Sequence, residues 1–413
     1  MSHHEVLPVI ETPIPAPDGV RRAQRIALIV GIAGIVLSLI GLFLDFDQFF
    51  RSYLFAYTYW TLIALGCLGL LMIQYMTQGV WGASIRRFLE AGASTIPIMG
   101  ILFIPLLFIV LSHNGIVWPW VDPHVMEENH MLQAKELYLN VPFFIIRIIA
   151  YFLIWSLLAI FLNRWSSELD RNPSIEVSRK LVRISALGLI LFALTTFFAS
   201  IDLVMSLDPE WFSSIFGAIF GISGVLGAFS LVIILVSILT SRGPLSRVMT
   251  PAHFHDYGKL LHAFVILWAY LSFAQYLIIW SANLPFEVVW YQHRMTGGWQ
   301  WVALIVALSM FFIPFLLLLS VPLKRSPKSL SMVAAFLFIA QFIHVVWITI
   351  PSIAPNEGHF RIHWLDITLL VAIGGVWFAI YFWRLASKSL IPLYVVPVTH
   401  PRWHPELEQN VAQ

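Results

Sequence analysis

The chain has 413 residues, 59% of them hydrophobic and only 11% charged, and its mean hydropathy is +0.83. Soluble domains carry about 25% charged residues, so an ordinary soluble enzyme is excluded, and a disordered chain needs the opposite composition. The net charge of +2 is too small for a nucleic-acid binder, and the single cysteine, Cys67, excludes a disulfide framework, a Cys-ligated iron–sulfur cluster and a CxxCH haem attachment. What remains is an all-α integral membrane protein.

Apolar windows of about 20 residues predict ten transmembrane helices, at 26–44, 54–76, 95–112, 142–162, 182–206, 215–239, 259–280, 299–321, 329–350 and 364–385. The first follows a proline-bearing tail and shows no small-residue cleavage site after Leu44, so it reads as a retained span. The third is the shortest and carries Pro97 and Pro105, which membrane helices tolerate where neighbours satisfy the freed carbonyls. Spans two to five and six to nine are expected to form two four-helix bundles, with the first and last spans peripheral. The organisation is then a tail at 1–25, a membrane domain at 26–385 and a second tail at 386–413.

The basic residues test this count. Of the 24 Lys and Arg, all but five fall on the N-terminal side; Arg51, Lys135, Arg294 and Arg361 fall on the other, and Arg147 lies within a span. A bias sustained across every loop supports ten spans and predicts that both termini are cytoplasmic. The longest loop on the opposite side, 113–141, holds several His, Asp and Glu, with Trp118 and Trp120 placed as interfacial anchors.

Polar groups inside the spans need a reason, because a charge at the bilayer centre costs roughly 2.5–3.5 kcal/mol on insertion scales. Arg147 and Asp202 lie at the same depth, roughly 6–8 Å inside the boundary opposite the N-terminus at 1.5 Å per residue, and are placed to pair. Gln275, Gln341 and His344 fall at similar depth, with Gln341 and His344 sharing a face at i, i+3. Asp202, Ala199, Thr195 and Gly188 form a small and polar stripe leading inward. At the N-terminal side, Asp256, Lys259 and His262 cluster at the start of span seven, with His253 and His255. Histidine titrates near neutrality, so the chain offers protonatable groups near both faces, as two proton half-channels require. The same groups also suit helix locking: an Arg–Asp pair joins two helices, and membrane Gln residues are often interhelical glue. Motifs for phosphate binding, dinucleotide binding, zinc hydrolysis or a serine nucleophile are absent.

Three stretches carry a resemblance. YLFAYTYWTLIALGCLGLLMIQYMTQGVWGASIRRFLEA runs from Tyr53 to Ala91, FFASIDLVMSLDPEWFSSIFG from Phe197 to Gly217, and HDYGKLLHAFVILWAYLSFAQYLIIWSANLP from His255 to Pro285, followed by Glu287, Trp290, Tyr291, Arg294 and Trp299. Together they resemble the F subunit of bacterial alternative complex III, a quinol:electron-acceptor oxidoreductase whose membrane subunits belong to the polysulfide-reductase membrane-subunit (NrfD-like) superfamily. The resemblance covers roughly residues 20–390. It implies the bacterial inner membrane and a respiratory or photosynthetic electron-transport complex. Its partners would be a C-type membrane subunit, a multihaem cytochrome c and an iron–sulfur protein. Quinone or menaquinone, haem c and iron–sulfur clusters are then expected in those partners, with no cofactor on this chain. Quinol-reacting members of the superfamily tend to carry an early-helix histidine in an HAGT-like stretch; here the stretch is Leu65-Gly66-Cys67-Leu68-Gly69, without a base for a quinol hydroxyl. The expected function is therefore to anchor the complex and conduct protons. Asp202 would be the exchangeable carboxylate, tuned by Arg147. Thr195, Gln275 and His344 would be relays, Asp256, Lys259 and His262 the cytoplasmic entrance, and Glu287 the exit. A quinone-binding catalytic subunit and a purely structural scaffold are the alternatives.

Overall fold

The computed structural model describes residues 13–353 and 360–393. Ten helices in it are long and apolar enough to cross a membrane: α1 (Asp18–Leu44), α2 (Phe46–Thr77), α3 (Val80–Leu111), α4 (Val141–Arg171), α5 (Ile175–Leu207), α6 (Phe216–Ser241), α7 (Pro251–Ala282), α8 (Trp299–Leu319), α9 (Pro327–Ile353) and α10 (Trp364–Ala386). The chain is an all-α integral membrane protein, with ten candidate spans among the described residues. Several helices extend past their apolar runs. The first begins at Asp18, inside the expected N-terminal tail, with an acidic residue in the first turn where the helix dipole favours it. Residues 1–12 of that tail and the stretch 396–405 lie outside the described residues.

Local chemistry sets the boundaries. Asp45 alone separates α1 from α2, and its carboxylate accepts the Gln48 N–H. Gln78, at φ 51°, and Gly79 make the sharp turn into α3. Asn140 and Ser174 cap α4 and α5 by accepting from Phe143 and Glu176. The third span is longer than expected, because α3 continues upstream through Arg86, Arg87 and Glu90; it breaks at Ser94–Thr95, just before Pro97, and again at Phe103, just before Pro105. Within α8 a π-helical turn, Leu308–Phe312, precedes Pro314.

α2, α3, α4 and α5 pack as one ring, and α6, α7, α8 and α9 as a second. The rings meet where α2 and α5 contact α6, so α2 and α6 form the interior spine, while α1 packs on α10 and α10 on α2. Two helix crossings depend on glycine. A Cβ on Gly66 would lie 2.0 Å from the carbonyl oxygen of Gly224, and one on Gly375 would lie 2.4 Å from the Cα of Gly31. The small-residue stretch of α2 is thus where α6 crosses it.

The described ends keep their sides. Leu390 N–H donates to Ile14 O at one end of the molecule, and Lys135 donates to Pro209 O at the other. Trp118 and Trp120 do not project outward. Both are buried against Phe144, with ring centroids 5.5 and 5.3 Å away, because the 113–141 loop folds over the top of α3 and α4.

Candidate functional site

The predicted polar residues separate into three groups. The first is a ladder between α4 and α5. Arg147 Nε and Nη2 donate to the two carboxylate oxygens of Asp202 at 3.0 and 2.7 Å, and Tyr151 OH donates to the same carboxylate at 2.8 Å. The third guanidinium nitrogen donates to Tyr138 O at 2.9 Å, and the guanidinium carbon lies 3.9 Å from the centroid of the Tyr138 ring. Burial, with the Asp202 charge nearby, raises the Tyr138 phenol well above its usual value. Deeper along the same two helices, Trp155 Nε1 donates to Thr195 Oγ1 at 2.8 Å. The small and polar face of α5 is the face packed on its neighbours; a Cβ on Gly188 would meet the Met72 sulfur of α2 at 2.8 Å.

The second group borders a cavity of about 580 Å³ between α6, α7, α8, α9 and the short helix Pro285–His293. The volume falls in the ~300–1,000 Å³ range of small-molecule sites. Its walls are almost wholly apolar and aromatic, and the π-helical turn of α8 contributes Phe311 and Phe312. Polar side chains on its wall include Gln275, His344, Tyr291 and Ser272. Gln275 accepts from Ser213 Oγ at 2.9 Å and donates to Tyr291 OH at 3.4 Å. His344 Nδ1 pairs with Ser223 Oγ at 3.2 Å and its ring meets Trp268 edge-on. Among the described residues Nε2 has no hydrogen bond. Burial raises the Tyr291 phenol to about 12.

The third group lies at the N-terminal end of α7. Lys259 Nζ pairs with Asp256 at 2.7 Å, both well exposed, while His262 sits against the Phe315 ring with its Nε2 buried and unbonded. Glu287 is half-buried in the first turn of the short helix and does not line the cavity. Gln275 and His344 are brought together; Asp202, Arg147 and Thr195 are together on the other ring of helices.

Three features escaped the sequence. The first is Arg294, placed in a loop by hydropathy but fully buried. It donates to Trp290 O, Trp347 O, Ile348 O and Ser352 Oγ at 2.6–3.1 Å, and Ser352 Oγ donates to Asp208 at 2.7 Å. Burial lowers the guanidinium to about 10, against the opposing pull of Asp208. The second is a charge cluster at the N-terminal side. Glu90 on α3 accepts from Arg87 at 2.6 Å, from Ser166 and from Lys388 at 3.1 Å, and Arg87 also bonds Asp170. Arg86 and Arg87 are therefore buried helix residues, not loop charges.

The third is a line of hydroxyls on α6. Ser223, Ser230 and Ser237 recur every seven residues on one buried face, spanning roughly 21 Å at 1.5 Å per residue. Gln341 of α9 packs against this face at Gly227, one turn from both Ser223 and Ser230; a Cβ there would touch its side chain at 3.3 Å. Among the described residues neither polar atom of the Gln341 amide has a partner, nor has Ser230 or Ser237 Oγ. Beyond Phe229, Tyr257 OH pairs with Ser84 Oγ toward the N-terminal side. Among the described residues no His, Cys, Asp and Glu group is arranged to hold a metal ion.

No protein-family model matches the chain, and no curated protein sequence matches it.

Proposed function

We propose that this chain is an integral membrane subunit of a quinol:electron-acceptor oxidoreductase of the alternative complex III type, and that it conducts protons along α6. The family half rests on the three sequence stretches, which map onto the interior α2–α3 hairpin, the end of α5 with the turn that follows, and the α7 wall of the cavity. The conduction half rests on one observation, the unpartnered Gln341 amide beside the serine face. A membrane glutamine that glues helices is hydrogen-bonded across them. An unpaired amide in an apolar interior costs free energy, and its retention fits a site that holds water. With Ser223–His344 on one side and Ser230 and Ser237 on the other, the amide sits midway in a line that water would complete. The Asp202 carboxylate, by contrast, has both oxygens committed, and carrying a proton through it requires the Arg147 pair to part. Arg147 and Asp202 serve this reading as the lock between α4 and α5.

Affinity isolation of the tagged chain from its native membrane tests the assembly. Co-isolation of a multihaem c-type cytochrome and an iron–sulfur protein is expected; isolation of the chain alone overturns the assignment.

The cavity favours a second reading, a bound quinone. Its aromatic walls fit a ring, and Gln275, Tyr291 and His344 Nε2 offer hydrogen bonds to ring oxygens. A bound quinone supplies two-electron, two-proton chemistry, and His344 supplies the base that the early-helix stretch lacks. Quinone retained at one equivalent when every other quinone site of the complex is blocked supports this reading; none retained removes it.

A further inference from the structure

Near the N-terminal side, α4, the α3 break and the end of α10 enclose a second cleft of about 240 Å³. It is unlike the large cavity. Its walls carry three cations, Arg164, Arg384 and Lys388, with Asn163, Ser94 and Ser167. The nearby carboxylates are already engaged: Glu90 binds Arg87 and Lys388, and Asp170 binds Arg87. Arg164 and Arg384 have no carboxylate partner among the described residues, and both are exposed. The cluster of Arg86, Arg87, Arg164, Arg384 and Lys388 against Glu90 and Asp170 therefore leaves excess positive charge facing the cleft.

The remaining wall is apolar. Pro97, Ala159 and Ile160 border the cleft, and below them Leu153, Leu157 and Ile160 form an exposed apolar strip along α4. The break of α3 at Ser94–Thr95 turns the helix aside before Pro97 and exposes Ser94 to the cleft. Cations and amide or hydroxyl donors thus stand at the membrane boundary, directly above a greasy strip that descends into the bilayer. Basic pockets between spans on one membrane face are where anionic headgroups bind.

We propose that this cleft binds the phosphodiester headgroup of an anionic phospholipid, with Arg164 and Arg384 contacting the phosphate and an acyl chain lying along Leu157 and Leu153 of α4. Asn163 and Ser167 supply neutral donors. Lys388, tied to Glu90 and Asn163, couples the occupied cleft to the α3–α4 contact. The apolar strip distinguishes a lipid from a free phosphate, because only a lipid gains from covering it. This proposal does not depend on the oxidoreductase reading.

The test is native mass spectrometry of the full chain purified from its membrane in mild detergent, for wild type and for the double variant Arg164→Gln/Arg384→Gln. Wild type is expected to retain one anionic phospholipid in preference to phosphatidylcholine. The double variant is expected to retain it roughly 25-fold less, about fivefold for each cation removed. Arg164→Lys/Arg384→Lys, which keeps the charges, is expected to restore retention and controls for folding. Excess inorganic phosphate is expected to leave the lipid bound. Equal retention by wild type and the Gln variant, no preference over phosphatidylcholine, or release of the lipid by inorganic phosphate overturns the proposal.

Discussion

Arg294 Nε donates to the carbonyl oxygen of Trp347 at 3.1 Å, the acceptor that Pro351, four residues on, has no N–H to satisfy. A buried guanidinium replaces a missing helical hydrogen bond, and two more of its bonds close onto Ile348 O and Trp290 O. Arg294→Ala leaves the Trp347 carbonyl short of a donor in apolar surroundings, at about 1–3 kcal/mol, and also removes the side-chain bonds to Trp290 O and Ile348 O. The coupling is specific. Pro351→Ala restores an N–H at the right position, so Arg294→Ala should cost about 1 kcal/mol less in the Pro351→Ala background. Unfolding in mixed micelles across the double-mutant cycle checks this; strictly additive losses would show that the two residues are independent.

The Arg147–Asp202 pair predicts an asymmetry. Asp202→Asn leaves a buried guanidinium facing a neutral amide, and breaking a buried pair this way costs about 3–5 kcal/mol. Removing both charges, in Arg147→Met/Asp202→Leu, should cost much less. As a lock, the pair should be replaceable without changing the proton balance of the complex. Loss of proton transfer in a double variant that folds and turns over would instead place Asp202 on the route.

At Gly66, alanine should separate the spine. The added Cβ meets the Gly224 carbonyl, and overpacking of this kind costs about 1–3 kcal/mol or more. Gly221→Ala is the control on the same α6, where the nearest atom is Thr196 Cγ2 at 3.9 Å. A lower unfolding midpoint is expected for the first and little change for the second. Similar midpoints would show that α2 and α6 shift apart without cost.

For the cavity, His344→Leu keeps the walls apolar while removing the ring nitrogen. A quinone held there should then bind about 2- to 10-fold more weakly, the worth of one hydrogen bond, measured by quinone content after controlled detergent washing. Unchanged content would mean that His344 does not contact the guest.

How legible this was depends on range in sequence. Ten spans follow from runs of about 20 apolar residues, and the Arg147–Asp202 pair followed from equal depth below one boundary. Depth arithmetic fails where the chain folds back. Arg294 sits in a polar turn by hydropathy, and only the packing of the short helix onto α9 buries it. Lys388 lies in the expected tail, 298 residues from its partner Glu90. The Trp-Pro-Trp segment has the composition of an interfacial belt, yet its loop closes over Phe144. The spacing of 223, 230 and 237 is the only sequence signal for the serine face of α6, and small residues are too common in membrane helices for it to stand out; that Gln341 packs beside it depends on how α2, α6 and α9 pack, which one sequence does not encode locally.

The central claim is that protons cross along α6 past the Gln341 amide. The direct measurement is the proton-to-electron ratio of the intact complex reconstituted in sealed vesicles, wild type against Gln341→Leu, which keeps the side-chain volume and removes the amide. The account predicts a lower ratio with quinol oxidation and assembly preserved. An identical ratio in a fully assembled, fully active variant contradicts it.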